Sequence, residues 1–250
     1  MTMFDLSGQV AVITGANTGI GQAIAVALAG AGASIVAVGR SPMDETRAAV
    51  EGAGVRFHAI KADLGSIEPV NAIVDETVAA FGRLDILVNN AGIIRRADAI
   101  DFTEADWDAV MDVNLKTVFF LSQAAARHML ERGSGKIINI ASLLSFQGGI
   151  RIPSYTAAKS GLAGLTRLLA CEWAGKGINV NAIAPGYFVT NNTTALREDR
   201  ERSAGILSRI PAGRWGDPAD LGGAAVFLAS TASDYVHGTV LPVDGGWLAR

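Results

Sequence analysis

The run Gln9-Val-Ala-Val-Ile-Thr-Gly-Ala-Asn-Thr-Gly-Ile-Gly21 decides the fold. Residues 9–14 are apolar and β-branched, residues 14–21 are rich in glycine, and a helical pattern follows over 21–30. Glycines at 15, 19 and 21 let the backbone turn tightly and approach a pyrophosphate, which the positive end of the following helix stabilises. The spacing is G-x-x-x-G-x-G rather than the G-x-G-x-x-G of the usual dinucleotide fingerprint. Because tight turns also use glycine for steric reasons alone, the surroundings must carry the reading.

Outward from this turn, short β-branched runs alternate with longer alanine-rich segments. Strands are predicted over 9–14, 34–38, 55–60, 84–88, 136–140, 177–183 and 238–243, and helices over 21–30, 43–52, 67–81, 104–132, 154–175 and 218–230. Near-continuous apolar strands separated by helix-length segments predict a parallel sheet covered on both faces and joined by right-handed crossovers. Thr103-Glu-Ala-Asp106 reads as a capping box, and Asp217-Pro218 as an N-cap with proline at the first helical position. The expectation is one doubly wound α/β domain of Rossmann type over 1–250, with a seven-stranded parallel sheet. The least regular stretch, 187–216, is expected to be an excursion that closes over a site.

Composition excludes several classes. The chain has 250 residues, 50% of them hydrophobic, ample for a core without metal or disulfide staples. Its one cysteine, Cys171 in Leu168-Leu-Ala-Cys-Glu-Trp173, excludes an internal disulfide and reads as part of a buried helix face. The beginning of the chain shows neither a basic n-region nor a long apolar run, and no segment reaches the length of a membrane span, so a cytoplasmic, non-membrane protein is expected. A net charge of −3 without a basic block argues against nucleic acid as a partner. His58, His128 and His237 lack metal-ligand spacing, and no metal site is expected.

Two further signals concern chemistry. The strand over 34–38 ends in Gly39-Arg40, where a site for NAD usually places a carboxylate on the ribose hydroxyls. Gly39 leaves room and Arg40 offers charge to a 2′-phosphate, which favours NADP(H) with NAD(H) as the other possibility. Arg40 could instead stack on adenine or face solvent, and Asp63 could accept from the adenine amino group or merely cap its strand. Tyr155 and Lys159 lie four apart in a helical stretch, with Ser142 at the end of Lys136-Ile-Ile-Asn-Ile-Ala-Ser142. An ammonium on the same helix face favours a phenolate. A phenol of ordinary pKa near 10 needs a shift of roughly three units, about 4 kcal/mol, to act as a general acid/base at neutral pH.

In order along the chain, Thr14-Gly-x-x-x-Gly-Ile-Gly21, Asn89-Asn-Ala-Gly92, Asn114, Ser142, Tyr155-x-x-x-Lys159 and Pro185-Gly186 with Thr190 resemble the motifs of the short-chain dehydrogenase/reductases. The resemblance implies hydride transfer between a nicotinamide and a carbonyl or alcohol carbon. It implies Tyr155 as general acid/base, Lys159 lowering its pKa and binding ribose, Ser142 holding the substrate oxygen, and Asn114 placing a water in a proton path. For the cofactor it points to Gly15, Asn17, Thr18, Gly19, Ile20, Gly21, Arg40, Asp63, Leu64, Asn90, Ala91, Gly92, Pro185, Gly186, Phe188 and Thr190. Asn89 and Asn90 also make sense as a plain strand-end turn. A homotetramer is implied by the family's habit of pairing the helices equivalent to 104–132 and 154–175.

A finer resemblance runs through Asn89-Asn-Ala-Gly-Ile-Ile-Arg-Arg96, Ser142-Leu-Leu-Ser-Phe-Gln-Gly-Gly-Ile-Arg151, Thr190-Asn-Asn-Thr193, Arg209-Ile-Pro-Ala-Gly-Arg-Trp-Gly216 and Val243-Asp-Gly-Gly-Trp-Leu-Ala-Arg250. These are similar to the branch of 2-dehydro-3-deoxy-D-gluconate and gluconate 5-dehydrogenases, which act on six-carbon sugar acids. An anionic substrate needs a fixed cation, for which Arg95, Arg96 and Arg151 are candidates, each equally explicable as a salt bridge or subunit contact. Gln147, Asn191 and Asn192 offer amides to sugar hydroxyls. The competing readings are a 3-oxoacyl carrier-protein reductase, which the polar stretch 190–193 disfavours, and a non-catalytic dinucleotide-binding sensor on the same fold.

Overall fold

The computed structural model describes residues 3–250. Strands β1 (Val10–Thr14), β2 (Ser34–Gly39), β3 (Phe57–Lys61), β4 (Ile86–Asn89), β5 (Gly135–Ile140), β6 (Ile178–Pro185) and β7 (Val240–Val243) form one parallel sheet in the order β3-β2-β1-β4-β5-β6-β7. This is the seven-stranded, doubly wound arrangement expected from the sequence. The order reverses between β1 and β4, so a crevice opens there at the carboxyl ends of the strands.

The covering helices are α1 (Gly19–Gly30), α2 (Asp44–Gly52), α3 (Val70–Phe81), α4 (Glu104–Met111), α5 (Thr117–Arg132), α6 (Pro153–Trp173) and α9 (Gly222–Ala229), with α7 (Thr194–Glu198) and α8 (Arg200–Leu207) in the excursion. Strand alternation sorts the core into two layers. Ala11, Ile13, Ile35 and Ala37 pack with Ile24 and Leu28 of α1 and Leu228 of α9 on one face. Val10, Val12, Val36 and Val38 pack with Ile73 of α3, Leu121 and Met129 of α5 and Leu169 of α6 on the other. Because successive strand residues point to opposite faces, strands apolar at every position need helices on both sides.

Buried polar links fix the helices that carry the site. Asn89 Nδ2 donates to Ser122 Oγ (3.0 Å) and Asn139 Oδ1 (2.9 Å), and Asn139 Nδ2 donates to Thr166 Oγ1 (3.0 Å). These bonds tie β4 and β5 to α5 and α6. An unpaired amide here would cost about 1–3 kcal/mol, so the chain of bonds sets the angle of α6 as well as stabilising it.

Four local readings change. The helix expected over 67–81 begins at Val70, because Pro69 restrains the residue before it. The helix expected over 104–132 runs through without a break but winds as a π turn at Asp112–Lys116, which divides it into α4 and α5. The stretch 187–216, read as irregular, carries α7 and α8, the latter capped by the Asp199 side chain accepting from Arg202 N (3.0 Å). Cys171, read as buried, is exposed: α6 turns this position to the outer side, while Leu169, Ala170 and Trp173 face the sheet. Asp217 caps its helix with Pro218 at the first position as read, whereas Thr103 makes only half of the expected capping box, its Oγ1 accepting from Asp106 N.

Candidate active site

At the β1 end, Gly15 (φ 65°) and Gly19 (φ 58°) occupy left-handed backbone that glycine adopts freely. A Cβ on Gly21 would lie 2.2 Å from the Gly15 carbonyl oxygen, so no other residue fits there. The Asn90–Gly92 loop is pinned to this turn. Thr14 Oγ1 accepts from Asn90 N (3.0 Å) and Ala91 N (2.9 Å), while Asn90 Nδ2 donates to Thr14 O (2.9 Å) and Gly15 O (3.2 Å). The first turn of α1 has no side-chain cap and no acidic residue, which leaves its N–H groups and positive end to an anion. A dinucleotide pyrophosphate fits this cradle.

At the ends of β2 and β3, no carboxylate follows Val38; Gly39 and Arg40 stand there instead. The Arg40 guanidinium lies 3.8 Å from the Asp63 carboxylate, with both side chains mostly exposed. Such a pair is weakly held in water, which leaves Arg40 able to turn to a 2′-phosphate.

Ser142 follows β5 and caps the short turn Leu143–Ser145, its Oγ accepting from Leu144 N (3.2 Å). Two bonds dock α6 on this turn: Ser145 Oγ donates to Lys159 O (2.7 Å) and Ser160 Oγ to Leu144 O (3.0 Å). Lys159 is buried, donates from Nζ to Ile140 O (2.6 Å), and holds its ammonium 5.6 Å from the Tyr155 ring centre. Tyr155, Ser142 and Lys159 share one cavity of about 970 Å³ with the glycine cradle.

That cavity gathers every site residue read from the sequence except Asn114. Asn114 sits behind its wall, fully buried in the π turn, with Oδ1 accepting from Ile93 N (2.9 Å) and Nδ2 donating to Ile93 O (2.9 Å). The candidate arginines separate. Arg95 pairs with Asp106 (3.1 Å) and Arg151 with Asp98 (3.1 Å), whereas Arg96 donates to the Asn192 carbonyl (3.3 Å), joining the loop after β4 to the excursion. Arg151 has φ 65°, and this left-handed turn before α6 directs it toward Asp98.

A family model described as enoyl-(acyl carrier protein) reductase matches residues 15–248. The 2-dehydro-3-deoxy-D-gluconate 5-dehydrogenase of Escherichia coli is 61% identical, covering 100% of this chain and 99% of its own length. The chain belongs to the short-chain dehydrogenase/reductase family. Among solved relatives of this dehydrogenase, a protein from Agrobacterium tumefaciens provisionally described as a 2-deoxy-D-gluconate 3-dehydrogenase, with NADP bound, superposes with a TM-score of 0.94 at 61% identity, covering 100% of both chains. A gluconate 5-dehydrogenase from Burkholderia cenocepacia, in complex with NADP and tartrate, gives 0.93 at 45% identity over 99% of this chain and 98% of that one.

The electrostatics of the short-chain dehydrogenase site differ from the simple tyrosine–lysine picture. Burial pushes the Tyr155 phenol above its ordinary value, opposed by the Ser142 hydroxyl and the Arg96 charge. Burial also pulls the Lys159 ammonium down to about 8. Desolvation acts on both groups, and the lysine proton is directed at Ile140 O. The sequence reading also passed over Tyr187, Arg202, Arg209 and Trp247, which line the same cavity. The hints lay in the matched motifs that contain Arg209 and Trp247, since nothing local says that these segments return to the site.

Proposed function

We propose that the chain oxidises and reduces six-carbon sugar acids with NADP(H), interconverting a hydroxyl and a keto group at C5 of 2-dehydro-3-deoxy-D-gluconate or D-gluconate. The observation that carries this is the convergence of Ser142, Tyr155 and Lys159 with polar and cationic groups on one cavity whose far end is a pyrophosphate cradle. The E. coli relative and the two NADP-bound neighbours support the same choice.

NADP, when bound, supplies the hydride acceptor for oxidation or the donor for reduction. Gly15, Asn17, Thr18, Gly19, Ile20 and Gly21 hold its pyrophosphate, and Arg40 its 2′-phosphate, with Asp63 and Leu64 beside the adenine. Asn90, Ala91 and Gly92 wall the adenosine ribose, while Pro185, Gly186, Phe188 and Thr190 line the nicotinamide side. In oxidation Tyr155 Oη takes the hydroxyl proton as its own proton passes to the partly neutral Lys159 amine, and Ser142 Oγ holds the oxygen as it becomes a carbonyl. Lys159 Nζ, partly deprotonated near pH 8, relays that proton onward. The Asn114 side chain is committed to Ile93, so its share in the proton path falls to the main chain of the π turn. Arg96, the arginine whose charge reaches Tyr155, replaces Arg151 as the cation nearest the reacting end. Asn191 and Asn192, on the excursion, offer amides to the hydroxyls from the same cavity.

The whole chain 1–250 acts as one catalytic unit, with 187–216 as its substrate cover. It works as a homotetramer in the cytoplasm. The exposed Leu168 and Cys171 on α6 suit an intersubunit face, and an unpaired exposed thiol suits a reducing compartment. Light scattering at the mass of a monomer would refute the tetramer, and recovery in a secreted fraction the location.

The deciding assay follows nicotinamide absorbance with 2-dehydro-3-deoxy-D-gluconate, D-gluconate, 2-deoxy-D-gluconate and an acetoacetyl thioester, each with both cofactors. Turnover of the sugar acids is expected, with NADP preferred; activity confined to the thioester would establish the carrier-protein reading instead. Tyr155→Phe should lower kcat about 10²–10⁴-fold while NADPH still binds.

A further inference from the structure

The terminal motif Val243-Asp-Gly-Gly-Trp-Leu-Ala-Arg250 has no role in the chemistry above, yet the fold builds it with care. Gly245 (φ 65°) and Gly246 (φ 89°) make a left-handed turn so close to the excursion that a Cβ on Gly245 would lie 2.9 Å from Ile210 Cγ2. Asp244 closes the turn, its carboxylate accepting from Gly246 N (2.8 Å) and Leu248 N (2.9 Å). The result is an indole only 4% exposed, packed with Leu143 beside Ser142, Ile206 of α8 and Ile210. Tail, excursion and the turn after β5 thus share a small core next to the reacting groups.

Two polar consequences follow. Trp247 Nε1 donates to Gln147 Oε1 (3.2 Å). Indole nitrogen can only donate, so the Gln147 oxygen must be the atom facing it, and the two N–H groups of Nε2 are left for the cavity. The Arg209 guanidinium lies over the Trp247 ring, 4.0 Å from its centre, and Tyr187 closes on the indole at 4.7 Å. Among the described residues, Arg209 forms no ion pair, whereas Arg95 and Arg151 lie 3.1 Å from Asp106 and Asp98 in exposed pairs. A guanidinium stacked on an aromatic ring keeps its planar edge of donors for a carboxylate.

We infer that Trp247 is a positioning residue for substrate selection, presenting the Gln147 amide donors and the Arg209 cation together to the carboxylate end of the substrate. The inference rests on the sugar-acid reading above and adds which groups recognise the anion. It assigns the charge recognition to the excursion and the tail, leaving Arg96 near the reacting oxygen.

The test uses full-length protein with a sugar acid and with the carboxamide of the same acid, which keeps the skeleton and removes the charge. Arg209→Met should raise KM for the acid about 10–100-fold, leaving KM for the amide and the Kd for NADPH within about twofold. Gln147→Glu keeps the acceptor for Trp247 but replaces the donors with a negative charge, so it should raise KM for the acid at unchanged melting temperature. Trp247→Phe keeps a ring beneath Arg209 and loses the N–H; KM for the acid should rise about 5–20-fold with kcat little changed. Equal KM shifts for acid and amide in Arg209→Met, or a Trp247→Phe KM within about twofold of wild type, would overturn the inference. Wild-type protein inactive on every sugar acid would remove the functional reading and this inference with it, whereas active wild type with an unaltered Arg209→Met removes the inference alone.

Discussion

Lys159→Met should make the protein more stable at neutral pH and less stable at high pH. Lys159 is 4% exposed, and burial brings its ammonium from 10.5 to about 8. A displacement of that size corresponds to roughly 3 kcal/mol spent on burying the charge at pH 7. Methionine removes that penalty but strands the Ile140 carbonyl, now an acceptor at 2.6 Å. An unpaired buried acceptor costs about 1–3 kcal/mol, so the net gain at pH 7 is up to about 2 kcal/mol, or a few degrees in Tm.

The pH dependence fixes the sign. Below about pH 8 folded and unfolded wild type both hold the lysine proton, and the penalty is complete. Between about 8 and 10.5 the unfolded chain holds a proton that the folded chain has released, so wild-type stability rises with pH. Above that window the neutral amine still donates to Ile140 O, and the variant, lacking the donor, should be the weaker protein. Urea denaturation of both proteins at pH 7, 8.5 and 10.5 reads the crossing. A variant less stable at pH 7, or a stability difference that does not move with pH, would refute the reasoning. Turnover should be lost at every pH, since the same buried amine relays the proton.

Further outcomes follow from single contacts. Gly21→Ala places a methyl 2.2 Å from the Gly15 carbonyl oxygen; despite the better helix former, it should cost about 1–3 kcal/mol in stability and weaken NADPH binding at least about tenfold by calorimetry. Arg40→Ala should raise the Kd for NADPH about 10–100-fold and hardly move NADH, and equal losses would refute the 2′-phosphate contact. Asn139→Leu removes the acceptor of Asn89 and the donor to Thr166, and should lower unfolding free energy by about 2–3 kcal/mol in a urea titration.

The readable parts of the site were those set within a few residues of one another. The glycine spacing 15, 19, 21 between a strand and a helix pointed to a cradle, and the Tyr155–Lys159 spacing to one helix face. Asp217 and Thr103 announced helix starts for the same local reason. The burial of Cys171 was misjudged because apolar neighbours on a helix do not say which side meets the sheet. The excursion was misjudged because α7 and α8 are too polar to show a clear apolar stripe.

By itself, then, the sequence determined the alternating strands and helices through periodicity, and, through motifs read together with their family resemblance, the phosphate cradle and the groups able to move a proton. Tertiary structure alone decided the charges. Arg95 and Arg151 look as available as Arg96 along the chain, but Asp106 of α4 and Asp98 of the loop after β4 lie 3.1 Å from them, while the tail folds Trp247 beneath Arg209. Ion pairing and desolvation depend on distances between elements far apart in the chain, and those distances exist only once the sheet has assembled.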